Sequence, residues 1–511
     1  MRFSPASEVE PGLRMGTAAG RWVIAAAVLG SGLSFLDGTV VNAALPTIAH
    51  DLGADLGDLQ WVLTGYLLTL GSLLVLGGSL GDRFGRRRVF LWGLGGFAVT
   101  STICAVAPTT SLLIVARCVQ GVGAALVVPN SLAIVSASFC AEDRGGAIGA
   151  WSGLAGVATA VGPFLGGWLI DAASWRFAFV LNLPLALAAG LIAWRHVPET
   201  RDEHASRHLD VGGSLLLSLG LAGIAYALIE GPAHGWSTVR LALGASGGVA
   251  LVSFVFAEGR TSSPMVPLRL FRSRQFSGTN AVTFAVYAAL GAVTFLLVVH
   301  LQTDLGYSAL QAGASLLPIT VLMLLFSARA GALAQRVGPR LPMTIGPLVV
   351  AGGMALFARV DPGTSYWATV FPAALALGAG LALTVAPLTA TVLAAVDDAH
   401  AGIGSAINNA VARIAGLLAV AVLPGAVGLT GGHGLELSDG FGRAMIVAAV
   451  LAAVGGVLAF LTVREGASVR VVARADVAMP CYDAKARVDG TNSVMASAHS
   501  PGRNRAETEP L

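Results

Sequence analysis

Residues 78–87 read GSLGDRFGRR, and residues 331–340 read GALAQRVGPR. Gly, Leu, Arg, Gly and Arg recur in register across an offset of 253 residues. A glycine-bracketed basic turn that appears twice at this distance divides the chain into two related halves. Each copy follows an apolar run, 59–80 in the first case and 310–330 in the second, long enough for the roughly 20 residues a bilayer crossing needs.

Outward from these turns the chain continues in the same way. Of its 511 residues 55% are hydrophobic and 12% charged, and the mean hydropathy is +0.76. Soluble domains carry about a quarter charged residues, so this composition excludes a water-facing globule and points to a lipid-facing one. Apolar runs bounded by Gly, Pro or charge number fourteen, from 22–45 through 111–138, 146–170, 278–302 and 400–428 to 443–463. They lack period-two alternation and are twice the length of a membrane strand, so the expected fold is all-α and polytopic. Because the run before the first basic turn is the second and the run before its copy is the tenth, six helices at each end form equivalent bundles. Two further helices lie between them, as in transporters built from repeated halves. The expected organisation is a tail over 1–21, an N-terminal six-helix bundle over 22–195, a linker with two extra helices over 196–277, a C-terminal bundle over 278–463 and a disordered tail over 464–511.

Charge placement sets an expected orientation. With both termini in the cytoplasm, 25 of the 31 Lys and Arg residues fall on cytoplasmic segments, four on the other side (Arg176, Arg240, Arg359, Arg443) and two inside spans (Arg117, Arg413). That asymmetry is a positive-inside signal and agrees with an even number of spans. The N-terminus lacks the basic segment and cleavage site of a removable signal. The net charge of +3 offers no basic surface for nucleic acid. Cys104, Cys118, Cys140 and Cys481 show no metal-ligand or CxxC spacing, so four free thiols, no metal and no cofactor are expected. No Ser/His/Asp, zinc-protease or nucleotide-loop constellation suggests an enzyme. Nothing in the sequence requires more than a monomer in the bilayer.

Asp37 is the only carboxylate deep within a predicted span, where an ionised acid must face a cavity or a partner. Gly30, Ser34 and Asp37 share one helix face. Arg117 on the fourth span lies at matching depth, beside Gln120 and Gly121, and is the expected partner. Burial and a guanidinium act on a carboxyl in opposite directions, so a change in water access could load and unload a proton there. One proton driven by about 150 mV supplies roughly 3.4 kcal/mol, enough for a concentration ratio of a few hundredfold without ATP. The fifth span carries Gly149, Gly153, Gly156, Ala160, Pro163 and Gly167 on one bare face, and Gly162-Pro163 allows a bend. In the basic turn, topology explains the arginines, whereas Asp82 suggests a charge network that latches one conformation. Asn280, Thr283 and Tyr287 on the ninth span, and Ser405, Asn408, Asn409 and Arg413 on the thirteenth, are candidate cavity linings or interhelical hydrogen bonders. Ser34, Asn42 and Gln120 are cavity candidates in the first half.

These residues resemble the major facilitator superfamily, specifically its fourteen-span drug:proton antiporter branch. LDGTVVNAALP over 36–46 is similar to the span-one motif, whose acid is implicated in proton coupling. Residues 78–88, with Gly78, Gly81, Asp82, Arg83, Gly85, Arg86 and Arg87, resemble the gating-loop motif. Arg117, Gln120, Gly121 and Gly123 resemble the span-four motif, whose arginine is linked to proton transfer. Residues 156–167, with Gly156, Gly162, Pro163, Gly166 and Gly167, resemble the antiporter motif of span five. Trp175, Arg176, Phe177, Asn182 and Pro184 also fit. The resemblance implies proton-driven export of a hydrophobic or amphipathic toxic compound across the cell membrane by alternating access; proton-coupled import by the same fold is the alternative. Two departures stand out. Gln335 replaces Asp82 in the second turn, and no acid lies mid-span in the second half, which favours a neutral or singly charged cargo over a polyvalent cation.

Overall fold

The structure, a computed structural model, describes residues 12–202, 209–261, 264–397, 401–429 and 438–464, without the side chains of Ala160, Ala401, Ser438 and Asp439. Most of both predicted tails, and Cys481, lie outside the described residues. Among the described residues fourteen helices are long and apolar enough to cross a membrane. Spans 1 to 6 are Ala18–Leu52, Leu56–Phe84, Arg86–Ala105, Thr110–Ser138, Ala141–Ala172 and Phe177–His196. Spans 7 and 8 are Val211–His234 and Thr238–Glu258. Spans 9 to 14 are Arg274–Thr303, Ala309–Val337, Arg340–Phe357, Val370–Ala394, Gly402–Ala426 and Gly440–Thr462. Among the described residues the only β-pairing is a single bridge between Leu13 and Phe139, which ties the start of the chain to the turn after span 4.

Several helices outrun the apolar pattern. Span 1, expected to stop before Pro46, continues to Leu52 and ends where Gly53 takes φ +64°. Proline lacks an N–H but tolerates the helical φ, and neighbouring helices in a bundle compensate the lost bond. At its start Thr17 caps the helix by accepting from the Gly20 N–H. Span 10 is two pieces, Ala309–Ser315 and Leu317–Val337, broken just before Pro318. Cys104 and Cys118 are free.

Spans 1 to 6 pack on one another, as do spans 9 to 14, and the two sets meet along two seams. At one seam span 2 lies against span 13, and the inserted helices cover it. Leu221 and Ala225 of span 7 cluster with Leu68 of span 2 and Leu417 of span 13. Ser218 Oγ donates to Ser72 Oγ at 2.8 Å, and Trp61 Nε1 to Glu230 Oε1 at 3.1 Å. Span 8 packs on span 7 and leaves Val249 and Val252 exposed, as a lipid-facing helix does. The second seam joins span 5 to span 10. Arg83 to Arg88, Arg195, Arg274 and Arg340 gather at one end of the molecule, called the basic end below.

Candidate functional site: a buried ion pair and a one-sided seam

Small residues let the helices of the first half approach closely enough to enclose charge. A Cβ on Gly121 would lie 2.4 Å from Tyr66 O of span 2, and one on Gly123 would lie 2.9 Å from Phe97 N of span 3. Between them Arg117 and Asp37 are both fully buried and in contact, Arg117 Nη1 donating to Asp37 Oδ2 at 2.5 Å. The carboxylate's other oxygen accepts from Gln120 Nε2 at 3.1 Å and Asn182 Nδ2 at 2.7 Å. Ser101 Oγ accepts from both of these amides, at 2.8 and 3.3 Å. Arg117 also donates to Gln120 Oε1 at 2.6 Å and, through Nε, to Val62 O at 3.1 Å. Its guanidinium lies 4.3 Å from the Tyr66 ring centroid, and Tyr66 donates to Ser34 O. Spans 1, 2, 3, 4 and 6 therefore converge on one charge pair. Its Coulomb attraction offsets its desolvation only because nearly every polar atom is satisfied; Arg117 Nη2 has no partner.

Two expected cavity residues belong to this interior instead. Gln120 is spent on the ion pair, and Ser34 is buried inside the first half, because the stripe of Gly30, Ser34 and Asp37 faces spans 2 to 4. Gly30 marks the approach of span 3, since a Cβ there would strike the Phe90 ring at 2.4 Å.

The basic turn is docked on its own half. Gly85 takes φ +106° and Gly338 in the repeat takes φ +84°, so the same register position makes the same reversal. Arg87 donates to Val197 O after span 6, and Arg340 donates to Phe460 O of span 14. The copies therefore anchor alike. Asp82 pairs with Arg86 at 2.7 to 2.8 Å, and Glu199 accepts from the Arg87 N–H and faces the Arg87 and Arg88 guanidiniums at 3.7 Å. A Cβ on Gly81 would run into the Asn130 side-chain amide, which would have to move. Gly78 faces Pro129 at an ordinary distance. The Asp82 carboxylate pairs with Arg86 of its own half, and its backbone carbonyl accepts from the Asp202 N–H of the linker.

Span 5 shows why its bare face matters. Away from the basic end it is clamped: a Cβ on Gly162 would meet Thr39, one on Gly166 would meet Val40, and one on Gly167 would lie 2.3 Å from Ala309 O of span 10. Gly313 of span 10 approaches Pro163 O equally closely. Asp171 accepts from the N–H groups of Ala309 and Leu310, and Gln302 of span 9 donates to Ala43 O of span 1. Towards the basic end, Gly149, Gly153 and Gly156 have no atom of the described residues within 4 Å of a Cβ. The side chain of Ala160, between the two regions, lies outside the described residues. The seam of spans 5 and 10 is shut at one end and open at the basic end.

Where the seam is shut, Thr39, Asn42, Pro163, Thr294 and Gly313 line a cavity of about 40 Å³, room for a water or two and not for an organic cargo. Asn42 keeps its Oδ1 unpartnered there. Asn408 donates to Asn280 and Thr283 at 3.1 and 2.7 Å, so these three tie span 13 to span 9 inside the second half. Tyr287 and Asn409 remain half-buried.

One buried group was missed. His300 is enclosed at the shut end, with Nδ1 2.7 Å from Asp304 Oδ2, Nε2 2.8 Å from Val360 O, and its ring stacked on Phe441. Its only sequence signal is a histidine inside an apolar run. Ser101 was missed as well, since a serine in a Thr-Ser-Thr run gives no hint of two amide partners.

The comparisons agree with this architecture. A peptide transporter, POT, solved in complex with sulfate, superposes with a TM-score of 0.64 over 88% of this chain and 96% of that one, at 13% identity, which is a likeness of fold. The tetracenomycin C resistance and export protein of Streptomyces glaucescens is 35% identical over 76% of this chain and 72% of its own length. The methylenomycin A resistance protein of Streptomyces coelicolor is 35% identical over 78% and 84%. A puromycin resistance protein of Streptomyces alboniger is 36% identical over 79% and 81%. The family model described as Major Facilitator Superfamily matches residues 27–420. With its fourteen membrane helices in two bundles and an inserted pair, the chain belongs to the Major Facilitator Superfamily.

Proposed function

We propose that the chain exports a hydrophobic or amphipathic toxic small molecule across the cell membrane, driven by protons entering through the site of Asp37 and Arg117. The observation that carries this reading is the fully buried ion pair in a bundle that could be held together without charge. Relatives named for antibiotic resistance and export give the direction. The basic end faces the cytoplasm on the positive-inside argument, so the open seam is where cargo enters.

Protonation of Asp37 removes the charge that holds Arg117. The guanidinium is then left with Val62 O, Gln120 and the Tyr66 ring, and the contacts between spans 1 and 4 loosen. Span 1 also carries Thr39 and Val40 against span 5 and Ala43 against span 9, so a shift of span 1 reaches the shut end of the seam directly. A proton taken up from outside then favours opening there, and its release inside resets the pair. In vesicles loaded with Nile red, an imposed pH gradient should drive dye movement, and Asp37→Asn should abolish it while folded protein is retained. Undiminished movement in that variant overturns the proton site. Failure of dye exit to dissipate the gradient in the wild type would instead favour uncoupled transport.

A further inference from the structure

Arg413 lies in the middle of span 13, eleven residues past Gly402 and thirteen before Ala426, where a cation needs a counter-charge, a carbonyl or water. Its position is built by small residues. Gly71 of span 2 lets Arg413 Cβ within 3.2 Å of where a side chain would begin, and Gly291 of span 9 touches the Gly416 backbone one turn away. The guanidinium sits 5.1 Å from the Phe35 ring centroid on span 1, and a Cβ on Gly416, one turn on, would face the Tyr287 carbonyl of span 9 at 3.9 Å. It is thus held where spans 1, 2, 9 and 13 meet between the two halves.

No carboxylate among the described residues pairs with it. Asp37 is committed to Arg117. Arg413 is half-buried, and none of its nitrogens is among the enclosed atoms lacking a partner, so they open onto accessible space. The middle of the molecule therefore holds two guanidiniums against one carboxylate, an excess of one positive charge beside an aromatic wall. Ser405, Asn409 and Arg413 follow each other at steps of four, all half-buried, and make a polar lane along span 13 from the basic end to this point.

We propose that Arg413 is the recognition residue for an organic anion, a carboxylate on an amphipathic cargo whose aromatic or aliphatic body lies along Phe35 and Tyr287. A guanidinium offers a planar fork matched to a carboxylate, and the low-dielectric surroundings strengthen that contact. This inference rests on the export reading and narrows its cargo from any amphipath to one bearing a single negative charge.

The test is equilibrium binding to the purified full-length protein, without any gradient, using pyrenebutyrate and its methyl ester as matched probes. The wild type is expected to bind the acid about tenfold more tightly than the ester, the ratio that one charge-assisted contact of about 1.4 kcal/mol supplies. Arg413→Gln should remove that preference and leave ester binding within about twofold, and Arg413→Lys, a point charge without the fork, should keep part of it. Ester binding also reports whether each variant is folded. Should Arg413→Gln not fold, the acid-to-ester ratios of the wild type and Arg413→Lys decide alone. Equal binding of acid and ester by the wild type, or an equal loss of both in Arg413→Gln, overturns the proposal. Because no proton gradient is used, failure of proton-driven export in vesicles leaves this result standing, and the two readings fail separately.

Discussion

In the first half the groups enclosed between the helices are charged: Asp37 and Arg117 are fully buried and held by Gln120, Asn182 and Ser101. In the second half spans 9 and 13, the counterparts of spans 1 and 5, are joined by Asn408 reaching Asn280 and Thr283, a buried His300–Asp304 contact lies at the end of span 9, and Arg413 stands at the boundary with no acid partner among the described residues. An arginine–carboxylate pair thus joins different helices in the first half, whereas the buried His300–Asp304 contact of the second half stays at the end of one helix. Exchanging such a pair for apolar residues is often neutral or stabilising, so packing does not account for the charges in the first half. The proposed proton coupling gives them a role.

This contrast sets the scale of the predicted effects. Arg117→Ala leaves Asp37 buried with only the two amides, and should cost about 3 to 5 kcal/mol of stability, seen as loss of folded protein in detergent. Arg117→Gln combined with Asp37→Asn removes both charges and should recover most of that stability while transport stays lost. Recovery of transport in the double variant would mean that the pair is structural. In the second half Asn408→Ala should cost roughly 0.6 to 1.7 kcal/mol, the range for interhelical hydrogen bonds in membranes. Equal costs at Arg117 and Asn408 would break the comparison.

The two ends of span 5 give a second scale. Gly167→Val forces a side chain against the Ala309 carbonyl at the shut end, and should cost about 1 to 3 kcal/mol through overpacking. Gly153→Val meets open space and should change the melting midpoint little, as surface substitutions within about 0.5 kcal/mol do. It should nevertheless slow turnover, because the seam must close over that face in the other conformation. Cross-linking of cysteines placed across spans 5 and 10 near the basic end would read the blocked closure directly.

Most of the architecture was legible because lipid imposes it. Helix length, the return of the 78–87 pattern at 331–340 and the arginine placement are each dictated by the bilayer rather than by fine packing. The meeting of Asp37 with Arg117 followed from depth alone, since two residues equally far down neighbouring helices have few other partners. What the sequence hid depends on rotation about a helix axis. Gln120 and Ser34 face into the first half and Asn42 faces the seam, a distinction that periodicity in an almost wholly apolar helix leaves open. Pro46 misled for a different reason, as a breaker in water is tolerated in a bundle. His300 was hidden because its partners, Asp304 on the next turn and the Val360 carbonyl, include a backbone atom sixty residues away.

The smallest predicted effect lies in the repeated turns and isolates what a single register position does. Asp82 and Arg86 form an i,i+4 pair that is partly exposed, worth about 0.5 kcal/mol, so Asp82→Asn should shift the melting midpoint by little more than the error of measurement. In the second turn Gln335 takes the place of Asp82 and Pro339 that of Arg86, so Gln335→Asp gains no cation four residues on and should not stabilise at all. If Asp82 serves only as that pair, transport should follow stability and stay near wild type. If it latches the basic end when spans 5 and 10 close there, Asp82→Asn should lower turnover severalfold at unchanged stability, and Gln335→Asp should leave both untouched. Measuring melting and transport on the two variants together separates these cases, because the turns share their glycine geometry and their anchoring arginines and differ in the acid and its partner.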